Sequence, residues 1–328
     1  MNELESVEGR GTPETVPDVD RDASPRTTET AAGTALAYET YGDEDGVPLV
    51  FLHGTPGSRL LGGLLDAPAR RAGVQVLAPD RHGYGHTGGP GADDFSAGAA
   101  TVATLADAVD ADRVAVAAFS GGAPFALAAA EENPGRVDSL HLVSSAPAPG
   151  LVDESETPRV SNGERRTSVR RELPTVTRVL GWLATHAPSI VSAGLRLQSG
   201  AVDRFAGASA ADQYVTDGSP VEIPPHVEAL VDADFLEAFR DGTTGAVADF
   251  RLLAAPWSVT PSAIDQPVHL WHGTADENAP VEGARRLAGT LYDADLTEYD
   301  DVGHLGALVA AAPRVVESVA NREAGSKS

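Results

Sequence analysis

Not one of the 328 residues is a cysteine. Disulfides, thiolate metal sites and a cysteine nucleophile are therefore excluded, and any covalent catalysis must use another side chain. Lysine is almost as scarce. Lys327 is the only one, and nearly every cation is an arginine. No basic stripe stands out, and a formal net charge of −24 would repel a polyanion, so nucleic acid is not an expected partner. No stretch approaches the roughly 18 uninterrupted apolar residues that a membrane helix needs. The N-terminus is acidic and Thr/Glu-rich, without the basic and apolar regions of a secretory signal. A soluble, cytoplasmic protein with no membrane partner is the expectation.

What is present is a large apolar fraction, 42%, enough for one large α/β domain with an insertion or for two ordinary domains. The acidic charge has two readings. One is attraction of cationic partners or substrates. The other is a surface adapted to molar salt, where screening over about 3 Å removes the self-repulsion. The acids are scattered rather than blocked, which favours the second.

Residues 1–32 are rich in Glu, Asp, Thr and Pro and lack apolar periodicity, so they read as a disordered acidic tail. From Thr34 onward short apolar strands alternate with helical patterns. Strands are expected at Leu36–Tyr41, Pro48–Leu52, Val74–Ala78, Val114–Ala117 and Leu140–Val143. Helices are expected at about Leu60–Ala72, Ser96–Ala111 and Ala123–Glu132. Strands apolar on both faces argue for a mostly parallel sheet with helices on both sides. The rhythm breaks after Ala146, and residues 147–263 offer only helical candidates, notably Val176-Val179-Leu180-Leu183 and Val227-Leu230-Phe235-Phe239. It resumes at Val268–Trp271, with a helix near Val281–Leu291, a strand at Leu296–Tyr299 and a last helix at about Leu305–Ala320. The simplest account is an α/β core made of residues 33–146 and 264–321, interrupted by a helical cap at 147–263.

Between a strand and a helix lies Ala118-Phe119-Ser120-Gly121-Gly122. A nucleophilic serine belongs on such a tight turn, with small residues two positions before and after it because strand end and helix start nearly touch. Ala118 and Gly122 meet that demand, and Pro124 falls in the first helical turn, where a missing N–H is harmless. Alone, the pattern also fits an ordinary glycine-rich turn with a capping serine. A serine hydroxyl needs a base, and histidine has the suitable ordinary pKa. His304, in Val302-Gly303-His304-Leu305, directly follows the last strand. The base needs a carboxylate to fix its tautomer. Asp276, in Gly273-Thr274-Ala275-Asp276, is favoured over the neighbouring Glu277 because its shorter arm suits a fixed loop. Donors for a tetrahedral oxyanion would be the backbone amides of Gly121 and of Thr55 in His53-Gly54-Thr55-Pro56-Gly57. Pro56 has no N–H, and His53 reads as a brace of that loop.

Those segments, together with Asp80-Arg81-His82-Gly83-Tyr84-Gly85, resemble the α/β-hydrolase superfamily in its order of nucleophile, acid and histidine. The resemblance covers about Thr34–Ala320. It implies an eight-stranded, mostly parallel sheet, a helical cap, an acyl-enzyme route and no cofactor or metal. Serine at position 120 argues for the serine branch, with carboxylic esters as leading substrates. Amides, thioesters, carbon–carbon bond hydrolysis and perhydrolysis stand behind, and a non-catalytic binding protein on the same scaffold is a third class. Overall composition is similar to that of salt-accumulating halophilic archaea. His82 stands where many relatives have proline, placing a polar group near the pocket or at its rim. Trp182, Phe205, Tyr214, Phe235, Phe239, Phe250 and Trp257 either line an acyl pocket or pack the cap helices together. The pattern Phe239-Arg240-Asp241-Gly242 through Asp249, Leu252 and Pro256-Trp257 resembles a recurring cap signature and names no substrate. His186 and His226 read as structural or exposed. The expected partner is a small molecule, and the sequence does not decide between monomer and homodimer.

Overall fold

Runs of Val, Leu and Ala, bounded by Gly and Pro, form one eight-stranded sheet. The structure is a computed structural model that describes residues 16–17, 21, 23–149, 174–205 and 207–326. The strands are β1 (Arg26–Glu29), β2 (Ala35–Gly42), β3 (Val47–Leu52), β4 (Val74–Pro79), β5 (Val114–Phe119), β6 (Val137–Val143), β7 (Val268–Gly273) and β8 (Ala294–Tyr299). Their order is β1-β2-β4-β3-β5-β6-β7-β8. Pairing is antiparallel from β1 through β2 to β4 and parallel from β4 to β8.

Alternate residues of the central strands serve opposite faces, and both faces are buried. Val50, Leu52, Val116, Ala118, Leu140 and Leu142 belong to one core. Helices α2 (Ala97–Ala108) and α3 (Ala123–Glu132) cover it, joined by α8 (Val281–Thr290). Leu49, Phe51, Ala115, Ala117 and Phe119 belong to the other core, under α1 (Asp66–Ala72) and α9 (His304–Ser326). The segment read as one helix over Leu60–Ala72 is a 3₁₀ turn at Arg59–Leu65 followed by α1.

The expected tail at 1–32 needs a correction at its end. Arg26–Glu29 pair with Ala35–Tyr38 as an edge strand. RTTE is polar on both faces, so no alternation betrays it, and backbone pairing alone specifies it. Val16 also packs against the core beneath α1 and α9. Residues 1–15 lie outside the described residues.

Between β6 and β7 stand α4 (Thr175–His186), α5 (Pro188–Arg204), α6 (Pro225–Ala238) and α7 (Thr244–Leu253). Helices α4 and α6 carry the two apolar patterns, and α5 and α7 add two more helices to the insertion. Helix α4 packs on α7 through Gly181, where a Cβ would overlap Ala254, while Val176, Val179 and Trp182 face outward. Gly181, Ala184 and Leu183 thus make the contact, and the other apolar residues Val176 and Val179 do not. Among the described residues, no helix is long and apolar enough to cross a membrane.

Helices α2 and α3 cross so closely that a Cβ on Gly98 would overlap the Phe125 carbonyl. Gly98→Ala should therefore destabilise by about 1–3 kcal/mol, outweighing the roughly 1 kcal/mol that alanine gains in helix propensity. Denaturant unfolding checks this, and a midpoint at or above wild type would contradict the crossing.

Candidate active site

Strand order reverses around β3, which has β4 on one side and β5 on the other. Ligands of open α/β sheets bind beyond the strand C-termini at such a switch point. Leu52 lies opposite Ala118, so the loops that begin at His53 and Phe119 leave the sheet side by side. Their closeness dictates small residues. A Cβ on Gly122 would press on the carbonyl oxygens of Leu52 and His53, 2.6 and 2.7 Å away. A Cβ on Gly121 would overlap the Thr55 side chain.

Ser120 sits between β5 and α3 with φ of 51°, left-handed backbone that a non-glycine residue adopts at a cost of roughly 1–3 kcal/mol. Its carbonyl accepts from the Ala146 amide at 3.1 Å. The same β6 extension reaches His304, because Ser144 Oγ donates to the His304 carbonyl at 3.1 Å. The His304 ring lies 4.8 Å from that of Phe119, centroid to centroid. Among the described residues, Ser120 Oγ makes no hydrogen bond, so the structure brings Ser120 and His304 to one sheet edge without joining hydroxyl to imidazole.

The other half of the constellation is closed. His304 Nδ1 lies 2.6 Å from Asp276 Oδ2. An ionised carboxylate can only accept, so Nδ1 is the donor in this contact, and Nε2 is the ring nitrogen left free to act as a base. Asp276 Oδ1 accepts from the amides of Asn278 and Ala279 at 2.9 and 2.8 Å. His272 Nε2, which donates to the Ala279 carbonyl at 2.6 Å, lies 3.5 Å from Asp276 Oδ2. Burial alone would raise the Asp276 carboxyl, but His304, His272 and the Ala279 amide together hold it below the usual carboxylate range. Glu277 is exposed and plays no part in this contact. Gly273 and Gly303 permit the geometry: a Cβ on the first would overlap the Val302 carbonyl, and on the second the Thr216 side chain.

Thr55 stands against Gly121, and among the described residues its amide donates to no acceptor. His53 braces the loop. Its Nε2 accepts from the Arg81 amide at 3.1 Å, which leaves Nδ1–H to donate to the Gly54 carbonyl at 2.8 Å. Burial and the Arg81 charge push its pKa far below the ordinary value, so it stays neutral.

Three buried carboxylates of the insertion tie it to these loops, and none was given a role from sequence. Asp234 Oδ1 accepts from Ser58 N, Ser58 Oγ and Leu61 N at 2.7, 2.8 and 3.2 Å. Glu237 accepts from the buried Arg59 at 2.6 Å, and Arg59 also holds Asp80 at 3.1 Å. Asp249 Oδ2 accepts from Thr55 Oγ1, Arg81 Nη2 and Tyr84 OH at 2.6, 2.8 and 2.8 Å. Burial alone would depress the Arg81 guanidinium, and Asp249 with Tyr84 more than restores it.

Of the seven aromatics, Trp182 and Phe205 are 55% and 67% exposed, Phe235 is buried against Phe239, and Tyr214 lies 5.8 Å from the His304 ring. His82 lines a groove bordered by Thr28, Thr30 and Thr104, between the β1–β2 hairpin and α2. His186 Nδ1 donates to the Trp182 carbonyl at 2.9 Å. Among the described residues, no group of three or more His, Asp or Glu side chains gathers as a metal site would.

A mostly parallel sheet covered on both faces, with its functional loops gathered beyond the strand C-termini, defines a class of fold, and comparison with known proteins places the chain in it. Residues 47–311 match the family of the alpha/beta hydrolase fold, and the chain belongs to that family. It is similar to a non-heme chloroperoxidase of Streptomyces lividans, 29% identical over 302 residues that span 85% of this chain and 92% of that one. Among solved structures, it resembles a thermophilic esterase from Thermogutta terrifontis, with a TM-score of 0.62, 20% identity and coverage of 93% and 99%. It also resembles the enol-lactonase from Burkholderia xenovorans, with a TM-score of 0.62, 18% identity and coverage of 90% and 98%.

Burial pushes the Asp234 carboxyl up to about 7 despite its three donors. The folded protein then keeps a proton that the unfolded chain releases near pH 4. Stability from this group is full below that pH and declines, by on the order of 1 kcal/mol per pH unit, as pH rises towards 7. Asp234→Asn should flatten this decline relative to wild type when denaturant unfolding is followed from pH 5 to 8. Parallel stability curves for the two proteins would refute it.

Proposed function

We propose that this protein is a serine hydrolase acting on carboxylic esters of small or medium apolar substrates through an acyl-enzyme. Ser120 is the nucleophile, His304 the base and Asp276 the acid that orients it. The observation that carries the reading is the 2.6 Å contact between His304 and Asp276, set beside a serine in left-handed backbone.

Rotation of the Ser120 side chain brings its hydroxyl to His304 Nε2, which takes the proton as Oγ attacks the ester carbonyl. Asp276 stabilises the imidazolium without itself becoming protonated. The tetrahedral oxyanion is met by the amides of Thr55 and Gly121, each worth about 2.7–4 kcal/mol of barrier. His304 returns the proton to the leaving alcohol, and a water activated by the same imidazole then releases the acid. The scheme uses no cofactor or metal. Helices α4–α7 act as a cap over this site, with Leu253 of α7 packed beside Gly121; residues 150–173 and 206 of the expected cap lie outside the described residues.

Likeness to a protein named a non-heme chloroperoxidase favours a second reading on the same residues. In it hydrogen peroxide replaces water in the last step and a peracid is released. Peracid formation from an acetate ester and peroxide, at a rate exceeding hydrolysis, would favour this reading.

Ser120→Ala should lower turnover of short p-nitrophenyl esters in molar potassium chloride by at least about 10³-fold while leaving the fold intact. A fluorophosphonate should label wild type at Ser120 and leave the variant unlabelled. Turnover unchanged in the variant, or labelling elsewhere, would overturn the assignment.

A further inference from the structure

The Thr55 loop is short and carries the amide on which one half of the proposed oxyanion hole depends. What holds it comes from outside the core. Asp249 is 1% exposed and lies on α7, 194 residues away in the chain from the threonine whose hydroxyl it accepts at 2.6 Å. That same oxygen takes Arg81 Nη2, and Arg81 Nη2 in turn donates to the Gly54 carbonyl at 2.9 Å and to Thr55 Oγ1 at 3.2 Å. Both peptide neighbours of the Thr55 amide are thus gripped by one ion pair. Helix α7 is seated by two further contacts. Gly245 N donates to the Gly83 carbonyl at 3.1 Å, and the Tyr84 ring lies so near that a Cβ on Gly245 would meet it at 2.6 Å. One turn beyond Asp249, Leu253 packs beside Gly121, the other proposed donor.

We propose that Asp249 is a positioning residue: through the Thr55 hydroxyl it holds the Thr55 amide opposite Gly121, so that the oxyanion hole is complete only while α7 is docked. This rests on the hydrolase reading above. Preorganised donors stabilise a transition state because they need not reorient as charge develops, and an ångström of play removes much of that benefit. A loop of this kind has no regular backbone ladder to define its position. The Asp249–Arg81 pair supplies the constraint, and a buried carboxylate facing three donors has little freedom to move. The arrangement differs from simple glue in one respect: its contribution falls on the tetrahedral state and not on the bound ester.

The test compares wild type with Asp249→Asn, Thr55→Val and the double variant. Thr55→Val keeps the amide and the Arg81–Asp249–Tyr84 contacts, so it carries the test even where Asp249→Asn folds poorly. Each single variant should lower kcat by about 10- to 100-fold with KM changed less than about threefold, the signature of a contribution made only in the transition state. Inhibition by a trifluoromethyl ketone, which forms a tetrahedral adduct, should weaken by a similar factor. The double variant should be no more than about threefold worse than either single one, because both break the same link. Single variants whose kcat matches wild type, or whose effects multiply in the double variant, would overturn the proposal. A wild type that neither reacts with a fluorophosphonate nor turns over esters overturns the hydrolase reading and this inference with it. A reactive wild type beside unaffected variants overturns this inference alone.

Discussion

A carboxylate that leaves water without a partner loses several kcal/mol, and three carboxylates of the insertion have left it completely. Asp234, Glu237 and Asp249 find their donors in the loops after β3 and β4, and nowhere in their own helices apart from Arg240 beside Glu237. The insertion and the sheet are therefore not two bodies that happen to touch. Each carboxylate meets its donors only when α6 and α7 lie where they do, and the loops are held only when the carboxylates arrive. Removing one partner of the buried Arg59–Glu237 or Arg81–Asp249 pair costs about 3–5 kcal/mol, far more than a surface ion pair contributes.

The loops so held are those that the sheet topology brings together. With β3 between β4 and β5, the turn after β3 and the turn after β5 emerge as neighbours, and glycines at 121 and 122 let them close to van der Waals distance. On the far side of β6, the turns after β7 and β8 bring Asp276 and His304 into contact. Ser144 and Ala146, in the extension of β6, are bonded to His304 on one hand and Ser120 on the other. One short segment thus sets the spacing between the two halves of the proposed machinery.

Much of this was legible in the chain because it obeys local rules. Strands β3 to β7 announce themselves largely as apolar runs, and the demand for small residues around Ser120 follows from strand and helix meeting at a sharp turn. Asp276 could be preferred to Glu277 on arm length alone, and the structure puts the first inside and the second in water. Other features have no local sign. β1 is four polar residues at an edge, specified by backbone bonds to β2. Helix α7 carries a buried aspartate in place of a clean apolar stripe, so its periodicity is blurred by the residue that docks it. Nothing local sets Asp234 apart in a chain of 48 acidic residues, and the cap signature that contains Asp249 gives it no role, since the donors of both lie about 165 to 195 positions away. Excess acid on the surface hides the few acids that are inside.

Position 120 also constrains the backbone. Its φ of 51° lies where an L-residue crowds its own carbonyl and glycine does not. Glycine takes a positive φ at 83, 85, 88 and 89, whereas Asp110, Ser144 and Asp301, like Ser120, do so while carrying a side chain. Folding alone would choose a residue without a side chain, which means the hydroxyl at the end of β5 is kept against the preference of the very turn that displays it.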